Sequence, residues 1–402
     1  MTTIPEEEAL NPAALVPIFP VYANLDDGEY PPQMIEHDPY FIADPDAIET
    51  PAMVVFEPQV DANIAALCDL VGGGINLMAH VKTHKSEAIV RKQLAAGIAG
   101  FKCATLRELE MTLDVGATES ILAYPMLQQL KVDRFAKITD AHAEAKVYAT
   151  AGDLAHVAAL AATAAGRDRP LLVMLDLDVG MHRTGASLRG AAEVYAAIHN
   201  TPGLEAAGLH AYDGHEHFQD PQARAGAAQK HINDLQTFRE RLEGAGMPVP
   251  RVVAGGSFSF PYYARTGGIH GSPGTVVYWD INGTTRMPDL PFVWAAMVLC
   301  QVVERHPEQQ TITTDLGVKA IAADPPLASR ARLLGHMDAR LILQNEEHGV
   351  FLFKGDLPAV GDYLLAIPGH VCPTTIRFTG SFVIDAEGTV VDFYPHTARD
   401  RQ

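Results

Sequence analysis

Lys82 is the side chain whose setting most suggests covalent chemistry. It lies in His80–Val81–Lys82–Thr83–His84–Lys85, directly after the apolar run Leu77–Met78–Ala79. A lysine amine attacks an aldehyde only when it is partly neutral, a state that burial and cationic neighbours promote. His80, His84 and Lys85 supply such neighbours, and Ile75, Leu77 and Val81 an apolar wall. The same residues also allow an ordinary strand-end lysine beside histidines that only pack.

Four further groups carry chemistry. In Asp176–Leu177–Asp178–Val179–Gly180–Met181–His182–Arg183–Thr184–Gly185, Arg183 can hold a phenolate or carboxylate, or pair with Asp176 or Asp178. His210–Ala211–Tyr212–Asp213–Gly214–His215–Glu216–His217 gathers histidines and acids suited to a general base or to metal ligands. Gly255–Gly256–Ser257 and Ser272–Pro273–Gly274–Thr275 expose backbone N–H groups that can cradle a phosphate. His370 and Cys372 stand two apart, so on a strand they would share a face and could share a metal. An imidazole with a thiolate suits zinc, and Glu346, Glu347 and His348 can add to the pair or orient it.

Each of the first groups closes a short apolar run. Strands are predicted near Gly100–Cys103, Ser120–Ala123, Lys146–Ala149, Leu171–Leu177, Ala207–Tyr212 and Arg251–Ala254. The Lys82 unit makes seven, and Gly268–Val276 can supply the eighth. Helical stretches such as Asp153–Ala165, Leu188–Ile198 and Ala223–Leu242 separate them. This alternation predicts an α/β fold, a (β/α)8 TIM barrel in a domain bounded at residues 51–288, with the strand Ala52–Phe56 and a helix preceding the eight counted strands. Its reactive residues would sit at the carboxyl ends of the strands, where barrels carry catalysis. Residues 289–402 are β-rich, including Val298–Val303, Arg340–Leu343, Thr374–Phe378 and Val390–Phe393, and predict a C-terminal all-β domain. Residues 1–50, rich in proline and acids, are expected to form an N-terminal arm.

The totals narrow the function. The 402 residues carry 30 Lys+Arg against 49 Asp+Glu, a net charge of −19, which leaves no basic footprint for nucleic acid. No apolar run reaches membrane length, and the N-terminus has no signal-like core. Cys68, Cys103, Cys300 and Cys372 are scattered, as expected of a reducing, cytoplasmic setting.

In their order along the chain, the His80–Lys85 run, the Asp178–Gly185 loop, Gly255–Gly256–Ser257, Pro273–Gly274–Thr275 and His370-x-Cys372 resemble one family. It is the D-threonine aldolase and D-serine dehydratase family, fold-type III pyridoxal 5'-phosphate (PLP) enzymes with an alanine-racemase-like barrel. The resemblance implies that Lys82 carries PLP covalently with His80 beside it, and that Arg183 contacts the ring's phenolic oxygen. Tyr212 would line the ring pocket, Gly256, Ser257, Gly274 and Thr275 would bind the phosphate, and His370 and Cys372 would ligate a divalent metal, zinc or manganese. The substrate implied is a D-3-hydroxy amino acid, and the assembly a homodimer.

Two departures bear on the reaction. Aldolases of the family commonly carry His-x-Asp at the metal and dehydratases His-x-Cys, as here. Aldolases also often place a base histidine six residues after the tyrosine, where this chain has Phe218, so that role falls to His215 or His217. The leading expectation is a retro-aldol lyase giving glycine and an aldehyde. The alternatives are a dehydratase giving a keto acid and ammonia, and a non-catalytic PLP-binding protein, which would be a bare barrel. Arg265 is a candidate reader of a second substrate carboxylate.

Overall fold

A computed structural model of the protein describes residues 39–401, so most of the expected N-terminal arm lies outside the described residues. The described end of that arm is anchored. Tyr40 packs edge-on against Phe56 with ring centroids 5.1 Å apart, and Ala43 N–H donates to the Gly388 carbonyl at 2.8 Å.

The first strand, β1 (Ala52–Phe56), is followed by β2 (Met78–His80), β3 (Gly100–Cys103), β4 (Glu119–Leu122), β5 (Lys146–Ala151) and β6 (Leu171–Asp178). Next come the two-residue β7 (Ala186–Ser187), β8 (Leu204–Ala211), β9 (Val252–Ala254) and β10 (Ile269–Gly271). From β2 to β10 the strands pair in parallel in the order β10-β9-β8-β6-β5-β4-β3-β2, with β7 on the end of β6. A parallel bridge between Leu77 and Gly271 brings the two edges together, and His80 N–H donates to the Pro273 carbonyl at 2.7 Å. The expected eight-stranded barrel is therefore present and nearly closed.

Both faces of these strands are covered, which is why they read as continuous apolar runs. Met78, Ile121, Tyr148, Met174, Ala207 and Val253 fill the barrel interior. Leu77, Ala79, Phe101, Val147 and Val173 point the other way into the main core shared with the helices. Asp153 caps the helix Leu154–Ala164 by accepting from Ala155 N–H, and Asp220 caps Pro221–Gly244 by accepting from Gln222 and Ala223. Gly208 lies at a register shift between β6 and β8 with φ +129°. A Cβ there would fall 1.8 Å from the Arg251 carbonyl oxygen, so β8 and β9 approach closely only because the residue is glycine.

The second body is a sheet built from β11 (Ala296–His306), β12 (Thr311–Thr314), β13 (Ala331–Leu333), β14 (Arg340–Gln344), β15 (Gly349–Leu352), β16 (Tyr363–Pro368), β17 (Gly380–Ile384) and β18 (Val390–Pro395). Its main path runs β14-β15-β12-β11-β1-β17-β18, with β16 joining β11 to β13. Here the structure departs from the sequence reading. β1 falls inside the expected barrel bounds 51–288, though outside the eight counted strands, and it pairs in this sheet, antiparallel to β11 and parallel to β17. Thr374–Phe378 is not a strand either. The helix Val371–Thr375 occupies its start, and Asp280 accepts from Val371 N–H at 3.0 Å. No helix among the described residues is long and apolar enough to cross a membrane.

Candidate active site

The carboxyl ends of β2, β3, β4, β6 and β8 surround a cavity of about 300 Å³. His80, Lys82, Lys102, Arg183, His210 and Tyr212 line it, with Tyr124 and Thr184. Of the group first singled out, only His80 and Lys82 line this space. His84 turns inward, accepts from Ser86 N–H at 3.2 Å, and is pushed down to about 3 by burial and His396. Lys85 forms a buried ion pair with Glu108.

The electrostatics correct the expectation for Lys82. Burial alone would lower its amine, but Tyr212 and Cys372 hold it above the ordinary lysine value. The amine that is depressed is Lys102. Burial, then Lys82 and Arg183, push it down to about 7. Its Nζ lies 5.2 Å from the centre of the Tyr212 ring, and Arg183 Cζ lies 4.9 Å from the same ring. Sequence reasoning passed over Lys102, although a lysine inside the apolar run Gly100–Phe101–Lys102–Cys103 was a visible signal. His80 is held well below its ordinary value by burial and by Lys82, so the imidazole is neutral.

Arg183 owes its position to the loop beneath it. Asp178 accepts from Gly180 and His182 backbone N–H groups at 3.0 and 2.9 Å, and pairs with the His182 ring at 2.8 Å. Asp176 is committed to His210 Nδ1 at 2.7 Å, leaving His210 Nε2 buried without a protein partner. Asp213 accepts from the Ser259 and Tyr263 hydroxyls at 2.8 and 3.0 Å and ties the loop after β8 to the helix Phe260–Ala264.

The glycine–hydroxyl loops meet as expected. Ser257 Oγ accepts from the backbone N–H groups of Gly274 and Thr275 at 3.4 and 3.3 Å. These contacts are long, so both amides can serve a stronger acceptor. Gly256 packs under Tyr212, where a Cβ would come within 2.7 Å of the ring.

The C-terminal body delivers His370 and Cys372 to this neighbourhood. Thr83 Oγ1, one residue after Lys82, lies 3.1 Å from Cys372 Sγ, and Thr275 Oγ1 lies 3.8 Å from it. The strand argument for the pair fails, since His370 is the N-cap residue of the short helix that contains Cys372. They meet all the same. Burial opposes ionisation of the Cys372 thiol, but His370 and then Lys82 hold it below the ordinary value. Asp324 bonds His370 Nδ1 at 2.6 Å, the carboxylate–histidine arrangement that orients a metal-ligating imidazole. Glu346 pairs instead with Lys319 at 2.8 Å. Asp324 had no local signal, since it lies 46 residues from its partner.

His215 and His217 are not among the cavity-lining residues. His217 packs edge-on against Phe258, with centroids 5.2 Å apart, and burial and Arg286 push it down to about 4. His215 faces Glu216 and His231. Arg265 donates to the Leu70 carbonyl at 2.7 Å and does not reach the cavity.

An eight-stranded barrel with a lysine at its mouth, a glycine–hydroxyl cradle and an appended β-body defines a class of protein that the comparisons identify. Residues 57–281 match the family described as alanine racemase, N-terminal domain, and residues 295–384 match the putative serine dehydratase domain. The chain belongs to the alanine racemase N-terminal domain family.

Particular relatives cover nearly its whole length. It is 26% identical over 374 residues to the 3-hydroxy-D-aspartate aldolase of Paracoccus denitrificans, spanning 89% of this chain and 94% of that protein. It is 24% identical over 373 residues to the D-threo-3-hydroxyaspartate dehydratase of Delftia sp. (strain HT23), spanning 85% and 96%. A solved D-threo-3-hydroxyaspartate dehydratase variant with a cysteine replaced by alanine is described as metal-free. The crystal structure of D-threonine aldolase from Filomicrobium marinum superposes with a TM-score of 0.81 at 25% identity, covering 88% of this chain and 96% of that one.

Proposed function

We propose that the protein is a PLP- and divalent-metal-dependent lyase acting on D-3-hydroxy amino acids, by retro-aldol cleavage to glycine and an aldehyde. One observation carries the metal-dependent lyase part of this reading: Cys372, which with His370 comes from the C-terminal body, lies against Thr83, next to Lys82. The residues fit both groups. The cavity holds an orphaned imidazole nitrogen on His210 and two cationic side chains over Tyr212, and the weakly engaged amides of Gly274 and Thr275 suit a phosphate.

PLP, bound covalently by Lys82, supplies an electron sink for the bond broken at the substrate's Cα. A divalent ion held by His370 and Cys372 supplies a Lewis acid for the β-oxygen. Arg183 and His80 orient the ring end; Gly256, Ser257, Gly274 and Thr275 hold the phosphate end; Tyr212 packs against the ring. The loop bearing His215 and His217 leaves directly from Tyr212, and we assign acceptance of the β-hydroxyl proton to it. His217, pushed down to about 4 by burial and Arg286, is neutral at physiological pH. The names of the curated relatives support the substrate class.

A second reading has a specific observation behind it. His370-x-Cys372 has the spacing of the histidine and cysteine replaced in two solved D-threo-3-hydroxyaspartate dehydratase variants, the cysteine variant being the metal-free one. In that reading Lys82 Nζ takes the Cα proton, the β-oxygen leaves, and the products are a keto acid and ammonia. Homodimerisation and a cytoplasmic setting belong to the same proposal, the latter supported by four free cysteines.

The test is product identification. Protein supplied with PLP and either zinc or manganese is offered D-threonine and D-serine separately. Glycine with an aldehyde supports the aldolase, and keto acid with ammonia supports the dehydratase. PLP bound with no turnover of either would refute both for these substrates and favour the non-catalytic alternative. His370→Ala should abolish turnover while PLP absorbance persists; unchanged turnover would remove the metal from the mechanism.

A further inference from the structure

A second set of metal-type donors stands apart from His370 and Cys372. Glu216 Oε1 lies 3.4 Å from His215 Nε2 and 3.3 Å from His231 Nε2. All three donor atoms lie within 4.8 Å of one another. They come from two elements: His215 and Glu216 from the loop after β8, and His231 from the helix Pro221–Gly244.

The separations suit a shared cation as well as hydrogen bonds. Ligands about 2.0–2.1 Å from a tetrahedral zinc stand about 3.3 Å apart. Both glutamate–histidine distances already have that length. Histidine–carboxylate bonds elsewhere in this chain are shorter, at 2.7 Å for His210–Asp176, 2.8 Å for His182–Asp178, 2.6 Å for His370–Asp324 and 3.1 Å for His142–Asp114. The two imidazoles are inclined by 62° with centroids 6.0 Å apart, so they converge on the carboxylate without stacking. Only the His215–His231 edge must tighten, through rotation of a His215 side chain that is 30% exposed.

We propose that His215, Glu216 and His231 form a second divalent-cation site. Two imidazoles and one carboxylate with an open fourth position are a donor set for zinc, and a poor one for magnesium or calcium. His231 is 4% exposed and fixes the inner wall, while Glu216 and His215 open to solvent, which supplies water as the fourth ligand. The cation clamps the loop after β8 to the following helix. It also reaches the Arg183 loop, because His215 packs against Gly180, where a Cβ would lie 2.8 Å from His215 Nε2. Tyr212 and Arg183, which share the cavity, are thereby held from one point outside it. His215 becomes a ligand, and of the two histidines only His217 is left for proton transfer. The site depends on no step of the proposed reaction.

Metal content separates the two sites. The PLP-loaded protein, equilibrated with zinc and desalted, should hold two equivalents per chain. Glu216→Gln, a near-isosteric change at a partly exposed position, should lose one equivalent and keep its PLP absorbance, and His231→Gln should do the same. His370→Ala should lose the other. In the cobalt-loaded protein the thiolate charge-transfer band belongs to Cys372 alone, so Cys372→Ala should keep ligand-field bands that disappear when Glu216→Gln is added. One equivalent lost in Glu216→Gln but kept in His370→Ala would still support this site while refuting the other. Zinc content and cobalt bands unchanged by Glu216→Gln would overturn the proposal.

Discussion

Replacing Lys102 by methionine should stabilise the protein, and only where the lysine would be charged. Lys102 is 2% exposed, near Lys82 and Arg183, with its amine pushed down to about 7 from the ordinary lysine value of 10.5. That displacement corresponds to about 5 kcal/mol at ~1.36 kcal/mol per pH unit, an upper limit on the cost of holding the charge in the fold. Below pH 7 the folded and unfolded chains both carry the proton, so the cost is present in full. Between pH 7 and 10.5 the unfolded chain binds more protons, so wild-type stability rises with pH, and above that range the cost vanishes. Methionine fills similar volume but gives up the contact with Tyr212, worth about 0.5–2 kcal/mol. The net gain at pH 6 is then about 3–4 kcal/mol. With an unfolding entropy of about 2.1 cal/mol/K per residue, the variant should melt about 4 °C higher at pH 6 and no higher at pH 10.5. Thermal unfolding of both proteins without cofactor, followed by circular dichroism across that range, measures the difference. A pH-independent difference, or a variant less stable at pH 6, would refute the placement of this amine among cations in a dry wall.

Two further changes probe the supports of the site. Asp324→Asn should weaken metal binding at His370 and Cys372 by about 10–100-fold without loss of PLP absorbance, because the carboxylate that orients His370 is removed; competition with a zinc indicator reads the affinity. Gly208→Ala should cost about 4 kcal/mol or more, since its Cβ would strike the Arg251 carbonyl across β8 and β9; urea unfolding midpoints report it, and a loss below about 1 kcal/mol would mean that the bulge yields easily.

The barrel was legible because its signals are local. Each apolar run buried on both faces ends in a loop whose residues need the strand's carboxyl end, and β2 with Lys82, β8 with Tyr212 and β10 with Gly274 all read this way. What escaped was set by distant partners. Ala52–Phe56 looks like the first strand of a βα unit, and only pairing with residues near 297 and 383 shows otherwise. Thr374–Phe378 is rich in β-branched and aromatic residues, yet the buried carboxylate of Asp280 captures the Val371 amide and starts a helix. The His370–Cys372 pairing was anticipated from strand periodicity and arises instead from a helix N-terminus. Lys82 was expected to be the depressed amine, and counter-charge from Tyr212 and Cys372 reverses that.

The placement of β1 makes the barrel a long excursion within another sheet. The chain lays down one strand of the β-body, builds all eight barrel strands, and returns to pair β11 with the strand it left. Among the described residues the two bodies are thus joined by two covalent crossings, one after Phe56 and one before Ala296, that lie side by side in the sheet. A single linker allows swivelling; paired crossings restrict the bodies to a narrow range of tilt. The β-body also cannot complete its sheet until some 240 intervening residues have been placed, a closure whose entropy grows only slowly with loop length but whose rate falls with sequence separation. The Cys372–Lys82 neighbourhood accordingly draws on segments from both ends of that excursion.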